Sequence, residues 1–168
     1  MKKYLISIGA FIVCSPTLGL AQEVNSAFGI DLGKPYTLSE IELPPLAGRP
    51  YPASTIQVPM PSDLQHVFLD VRVGISLLSN NVFQLSAERA FSGREACYDV
   101  RRGLQEYLEN EYDTKAKLNE QFQFSSNDGV KWVQFSCGQR TDSGYWTLSF
   151  TATDESESEK FREWLTNQ

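Results

Sequence analysis

Two cysteines and one histidine limit the chemistry open to this chain. Of its three cysteines, Cys14 falls in a segment read below as a removable leader, which leaves Cys97 and Cys137. Their number is even, with no C-x-x-C spacing and no cysteine beside a histidine. A structural disulfide is therefore expected, with no redox or thiol-nucleophile role. His66 is the single histidine. Zinc triads and His-pair sites are thus unavailable, and a Ser-His-Asp arrangement would have to use that residue. No G-x-S-x-G, S-x-x-K, H-E-x-x-H or G-x-x-x-x-G-K motif occurs. The chain carries 21 acidic residues, so paired-carboxylate hydrolysis stays open as an alternative without a motif behind it. Asp154, Ser156 and Ser158 match the first ligand spacings of a calcium loop. Glu159 stands where that loop turns on glycine, however, and Leu165 where it needs glutamate, so helix capping accounts for the run. No cofactor and no metal is expected.

Recognition is better served than catalysis. The loop from Gly138 to Gly144 starts beside Cys137 and runs into Tyr145 and Trp146. Gln139, Arg140, Asp142, Tyr145 and Trp146 together offer hydrogen-bonding groups and aromatic anchors on a pre-organised mount, and they form the candidate binding site. An ordinary hairpin connection with solvated Arg140 and Asp142 is the alternative. Phe122, Phe124, Trp132, Phe135, Tyr145 and Trp146 give the late strands an aromatic surplus that could floor a glycan or peptide groove, but aromatics on a sheet facing a helix usually pack inward and they are read as core.

These residues must be positioned by the elements around them. From Val67 to Leu77 apolar and polar residues alternate, with Val67, Leu69, Val71, Val73, Ile75 and Leu77 on one face: a half-buried strand. Ser79, Asn80 and Asn81 make a tight turn, and Val82 to about Ala90 runs back. Ser92 and Glu95 read as a capping box opening a helix over 93–112. Glu106, Glu109 and Glu111 lie near its negative C-terminus, where they are tolerated and not stabilising. Strands follow at about 121–125, 130–137 and 145–153, and Ser156 with Glu159 reads as a second capping box before a short last helix. The expected fold is α+β: an antiparallel sheet of about five strands, one long helix packed on it and a short C-terminal helix, in the order ββαβββα. A disulfide then joins the first turn of the helix to the end of a strand. A simple crossover would leave those points roughly 20–25 Å apart. The helix must lie across the strands, or residues 113–121 must return along it.

Lys2 and Lys3, the apolar run Tyr4–Val13, and Gly19 and Ala21 at the −3 and −1 positions mark residues 1–21 as a signal peptide, with the mature chain starting at Gln22. Ser15, Pro16 and Thr17 interrupt the roughly 20 apolar residues an anchor needs. Lipidation of Cys14 would want a small residue where Val13 stands. The expected location is periplasmic or secreted, by a bacterial export route, with no membrane association after cleavage. Every proline of the mature part precedes residue 62, which divides it into a proline-rich strap, 22–62, and a body, 63–168, of one domain. The strap should run extended. Cleavage removes Lys2 and Lys3 from the 15 basic residues and leaves 13 against 21 acids, a net charge of −8. Nucleic acid and anionic membranes are poor partners for such a chain; the acidity is read first as what keeps a protein soluble, with a basic envelope protein as partner the alternative.

Phe28-Gly29-Ile30-Asp31-Leu32-Gly33, a strand hairpin, and a helix ending Gln105-Glu106-Tyr107-Leu108-Glu109-Asn110-Glu111-Tyr112 together resemble a broad group of small exported bacterial proteins of unknown function. These open with F-G-I-x-L-G and end a helix in L-x-x-L-x-x-K-Y-G. Glu111 stands here for the usual Lys and Asp113 for the usual Gly. The resemblance spans most of the mature chain, implies the same fold class and brings no activity with it. The function expected is that of a non-enzymatic envelope binding protein, an inhibitor or immunity-type partner of another envelope protein. A small envelope hydrolase using carboxylates or His66 is the alternative.

Overall fold

The computed structural model describes residues 24–36, 53–76, 78–118 and 121–167. The expected leader 1–21, the start at Gln22, and strap residues 37–52 lie outside them. The fold is α+β. Its elements are β1 (Ser26–Ala27), β2 (Ile30–Asp31), β3 (Ala53–Pro59), β4 (Asp70–Ser76), β5 (Val82–Phe91), α1 (Arg94–Glu111), β6 (Lys117–Leu118), β7 (Phe122–Ser125), β8 (Lys131–Gln139), β9 (Trp146–Asp154) and α2 (Glu155–Thr166). β3 to β9 form one antiparallel sheet in the order β3-β4-β5-β9-β8-β7-β6, and β1 pairs with β2 alone.

Alternation along these strands divides the sheet into two unlike faces. Register aligns Leu85 with Ala152 and Ala87 with Phe150, and sets Val133 against Ala152, Phe135 against Phe150 and Cys137 against Leu148. All of these except the half-buried Cys137 are buried, and α1 packs against this face through Cys97, Leu104 and Leu108. The alternate residues make the opposite face: Ser86 and Glu88 of β5, Thr147, Ser149 and Thr151 of β9, and Gln134 and Ser136 of β8.

The F-G-I-x-L-G segment builds the lid of the core. Phe28 and Gly29 take φ of 55° and 75°, which turns β1 back into β2. The Phe28 ring then lies 4.5 Å from Phe150 and 6.2 Å from Phe68. The end of α1 meets the strand that leads into this segment: the buried Tyr112 donates its hydroxyl to the Ser26 carbonyl at 2.7 Å. Asp113 adopts φ 47°, the left-handed position usually filled by glycine after a helix.

Several expectations need correction. The strand expected from Val67 starts only at Asp70, because Val67 and Phe68 donate their N–H groups to the Leu64 carbonyl in a turn. The turn breaks the two-residue period, so Val67 and Phe68 are both buried and Leu69 is 74% exposed. Leu77 lies outside the described residues. Ser92 does not cap α1: Gly93 is the N-cap and no side chain bonds there. Nor does Ser156 cap α2, where Asp154 is the N-cap and accepts from Glu157 N. Glu109 does more than tolerate its position. It accepts from Gln105, Lys115 and the Ala116 N–H, which anchors the chain leaving α1. Within the proline-rich strap, Ala53–Pro59 joins the sheet as edge strand β3, where Pro59 at the strand end removes no interior hydrogen bond.

The disulfide is present, with Cys97 and Cys137 Cα atoms 6.1 Å apart. α1 runs from the end of β8 towards its start, where Tyr112 packs edge-on against Phe124 at 5.1 Å. The chain after α1 turns back through β6, which runs opposite to α1, so the described residues follow the second of the two expected paths and β8 finishes beside the first turn of the helix.

Candidate functional site

The disulfide joins the two elements that carry the candidate site. Cys97 lies in the first turn of α1, and Cys137 precedes Gln139 by two residues on β8. Beyond Gln139, the β8–β9 turn is closed by Arg140 N to Tyr145 O at 2.9 Å, Gly144 N to Arg140 O at 2.9 Å and Gln139 Nε2 to Gly144 O at 3.2 Å. Gly144 has φ 71°, which a side chain would strain. Gln139 thus braces the turn from within.

Arg140 stands between two carboxylates, 3.8 Å from Glu88 on β5 and 3.9 Å from Asp142 within the turn. All three side chains are half or more exposed, so these pairs orient Arg140 with little net stabilisation. A shallow cleft of about 210 Å³ opens beside it on the polar sheet face, lined by Glu88, Ser136, Gly138, Gln139, Arg140, Thr147 and Ser149. Tyr145 is 53% exposed. Trp146 goes elsewhere: register pairs it with Gln139 and Phe91, and its ring meets Tyr98 of α1 at 5.9 Å between centroids. The five expected residues therefore split. Arg140, Asp142 and Tyr145 form the exposed turn, Gln139 supports it, and Trp146 packs under α1.

Glu88, Ser136, Thr147 and Ser149 complete the cleft without having been expected. Ser136, Thr147 and Ser149 carried a usable signal in strand parity, since they alternate with the apolar residues of β8 and β9. Glu88 carried none, because nothing local says that β5 neighbours β9. Arg94 and Tyr98 of α1 were also missed. They stand on the exposed stripe of an amphipathic helix and look solvated from sequence.

The residues considered for catalysis are dispersed or engaged. His66 lies exposed in the turn before β4, and its backbone carbonyl accepts from Arg89. The buried carboxylates serve the docking of α2. Asp154 caps the helix, and Glu157 accepts from Ser79 at 2.6 Å, Asn81 at 3.1 Å and Lys160 at 2.7 Å. Burial pushes the Glu157 carboxyl up, but those three hydrogen bonds outweigh it and hold the group below its usual range. Trp132 donates to Glu155 at 2.9 Å, which fixes the first turn of α2 on the polar face of the sheet. Among the described residues no group of three or more His, Cys, Asp or Glu is placed to hold a metal ion, and no helix is long and apolar enough to cross a membrane.

No family model, curated protein or solved structure matches this chain.

Proposed function

We propose that this chain is a non-enzymatic binding protein of the bacterial envelope or its exterior, acting as an inhibitor or immunity-type partner of another exported protein. The leader-like residues 1–21 and the disulfide support an oxidising location outside the cytoplasm. The observation that carries the reading is the β8–β9 turn. It presents an exposed Tyr145 and an ion-paired Arg140 on a backbone closed by three hydrogen bonds and rooted beside a disulfide. Such a turn loses little entropy on binding, and Tyr and Arg are the residue types that dominate interface energies.

The test captures the partner on immobilised protein from periplasmic extract, then measures affinity by calorimetry. Arg140→Ala and Tyr145→Ala should each weaken binding by about 1–3 kcal/mol with the melting temperature nearly unchanged. Trp132→Ala should instead lower the melting temperature, because it undocks α2. Unaltered affinity in both turn variants would remove the interface from this end of the molecule. The hydrolase alternative has no comparable observation behind it.

A further inference from the structure

The first turns of α1 carry cations held in an unusual way. Arg94 Cζ lies 5.1 Å from the Tyr98 ring centre and 5.7 Å from that of Trp146. Arg101 Cζ lies 4.3 Å from Tyr98 and 4.7 Å from Phe122. The two guanidiniums thus share Tyr98 and form a continuous ladder, Trp146–Arg94–Tyr98–Arg101–Phe122. Among the described residues, neither arginine has a carboxylate within ion-pair distance. The Nε of Arg101 is buried without a hydrogen-bond partner.

A cation over aromatic rings has its charge partly compensated by the ring quadrupole, but its N–H donors bond nothing there. A guanidinium so fixed is prepared for a bidentate anion such as a carboxylate, and the aromatic stacking has already restricted its side-chain freedom. The ladder borders a cleft of about 520 Å³ lined by Arg94, Glu95, Tyr98, Asp99 and Arg102. Within the cleft Asp99 pairs with Arg102 at 3.3 Å and Arg94 balances Glu95, so it is Arg101, on the neighbouring stripe outside the lining, that makes the surface locally positive. Seven residues of helix set the two arginines about 10 Å apart along the axis.

We propose that this surface binds an acidic peptide segment of the protein partner, with two carboxylates about 10 Å apart engaging Arg94 and Arg101. The inference rests on the binding function above and supplies the chemistry of its partner. It runs against the basic partner that the net charge alone favours. That charge acts at long range and is screened within about 8 Å at physiological salt, whereas contact is decided by the groups that touch. Trp146 connects this surface to Tyr145, and the disulfide roots both, so one partner can cover the α1 cleft and the turn together.

The test titrates the oxidised, isotope-labelled protein with hexaglutamate, hexalysine and inorganic phosphate at about 0.15 M salt, following the Arg Nε–H and Trp indole resonances by NMR. Hexaglutamate should shift Arg94, Arg101 and Trp146, and Arg94→Gln should weaken its binding roughly tenfold while Arg72→Gln leaves it unchanged. Arg94→Lys should fail to restore it, since an ammonium cannot make the bidentate contact. Arg94 is exposed, so its variants test binding without disturbing the core. No shift at these three residues would overturn the proposal, as would equal shifts with phosphate or binding of hexalysine in their place. If a captured partner responds to Tyr145→Ala but not to Arg94→Gln, the acidic segment is refuted and the binding function stands. If it responds to neither, the acidic segment is refuted and the β8–β9 turn falls with it as the interface.

Discussion

Residues with unfavourable local conformations or charges show where the tertiary fold overrides the chain. Phe28 holds φ 55°, which a bulky side chain rarely adopts, and burial of its ring against Phe150 offsets that strain. Gly33 is under a stricter demand: its φ is 75°, and a Cβ there would collide with the Asp154 carboxylate. Gly33→Ala should therefore destabilise the protein by roughly 1–3 kcal/mol in urea unfolding, and a neutral outcome would mean that the β2 end can shift freely. Glu111 is the electrostatic counterpart. One of its carboxylate oxygens is buried without a partner, and burial raises the carboxyl above its usual range against the opposing effect of the Tyr107 hydrogen bond. Tyr107 is itself pushed up to about 12, by burial first and by Glu111 next, so it stays protonated as the donor. A carboxyl raised in the folded state binds its proton more tightly there. Stability is then lost as pH rises from the unfolded value through the folded one. Glu111→Gln should melt higher than the parent at pH 7, and the difference should vanish on acidification below the carboxylate range. A gain that persists in acid would point to packing instead of charge.

At the scale of elements, helix starts are decided by where strand pairing stops. β5 pairs through Phe91 with Trp146, so the chain is still extended at the expected Ser92 box, and α1 begins after Gly93. β9 pairs through Asp154 with Lys131, which makes Asp154 the first residue free to cap and moves the start of α2 ahead of Ser156. Asp154→Ala should cost about 0.5–2 kcal/mol in thermal or urea melts, the usual loss of a cap, whereas Ser92→Ala should change stability by no more than a few tenths. Equal effects would restore the capping-box reading. α2 is also held from the sheet side, because Ser79 and Asn81 of the β4–β5 turn bond Glu157 and Trp132 bonds Glu155. These contacts join segments more than 70 residues apart in sequence in the case of Glu157.

For the whole molecule, the disulfide ties stability and recognition together. Closing a 40-residue separation should contribute about 4 kcal/mol in the chain-entropy account. The same bond fixes α1 against the β8–β9 turn. Replacing both cysteines with alanine should lower the melting temperature and also weaken the captured partner under conditions where the variant is still folded by circular dichroism. Loss of stability with unchanged affinity would make the bond a staple only. Much of this was determined by sequence alone: the cysteine pairing, the α+β class and the long helix after the first hairpin. Each follows from residue type or from a period of 3.6 or 2 that a local stretch of chain carries within itself, although of the aromatics read as core Trp132 turns out on the polar face and Tyr145 exposed. The β3 edge strand, the β6 return, the turn that hides Phe68 and exposes Leu69, and both helix caps were decided by the tertiary structure. So were the neighbours of the site. Glu88 faces Arg140 because β9, added last, inserts between β5 and β8, and Arg94 stacks on Trp146 because that insertion sets the β9 start beneath α1. Such contacts depend on which distant strands bury each other's apolar faces, a choice made by the whole chain at once and written in no single segment of it.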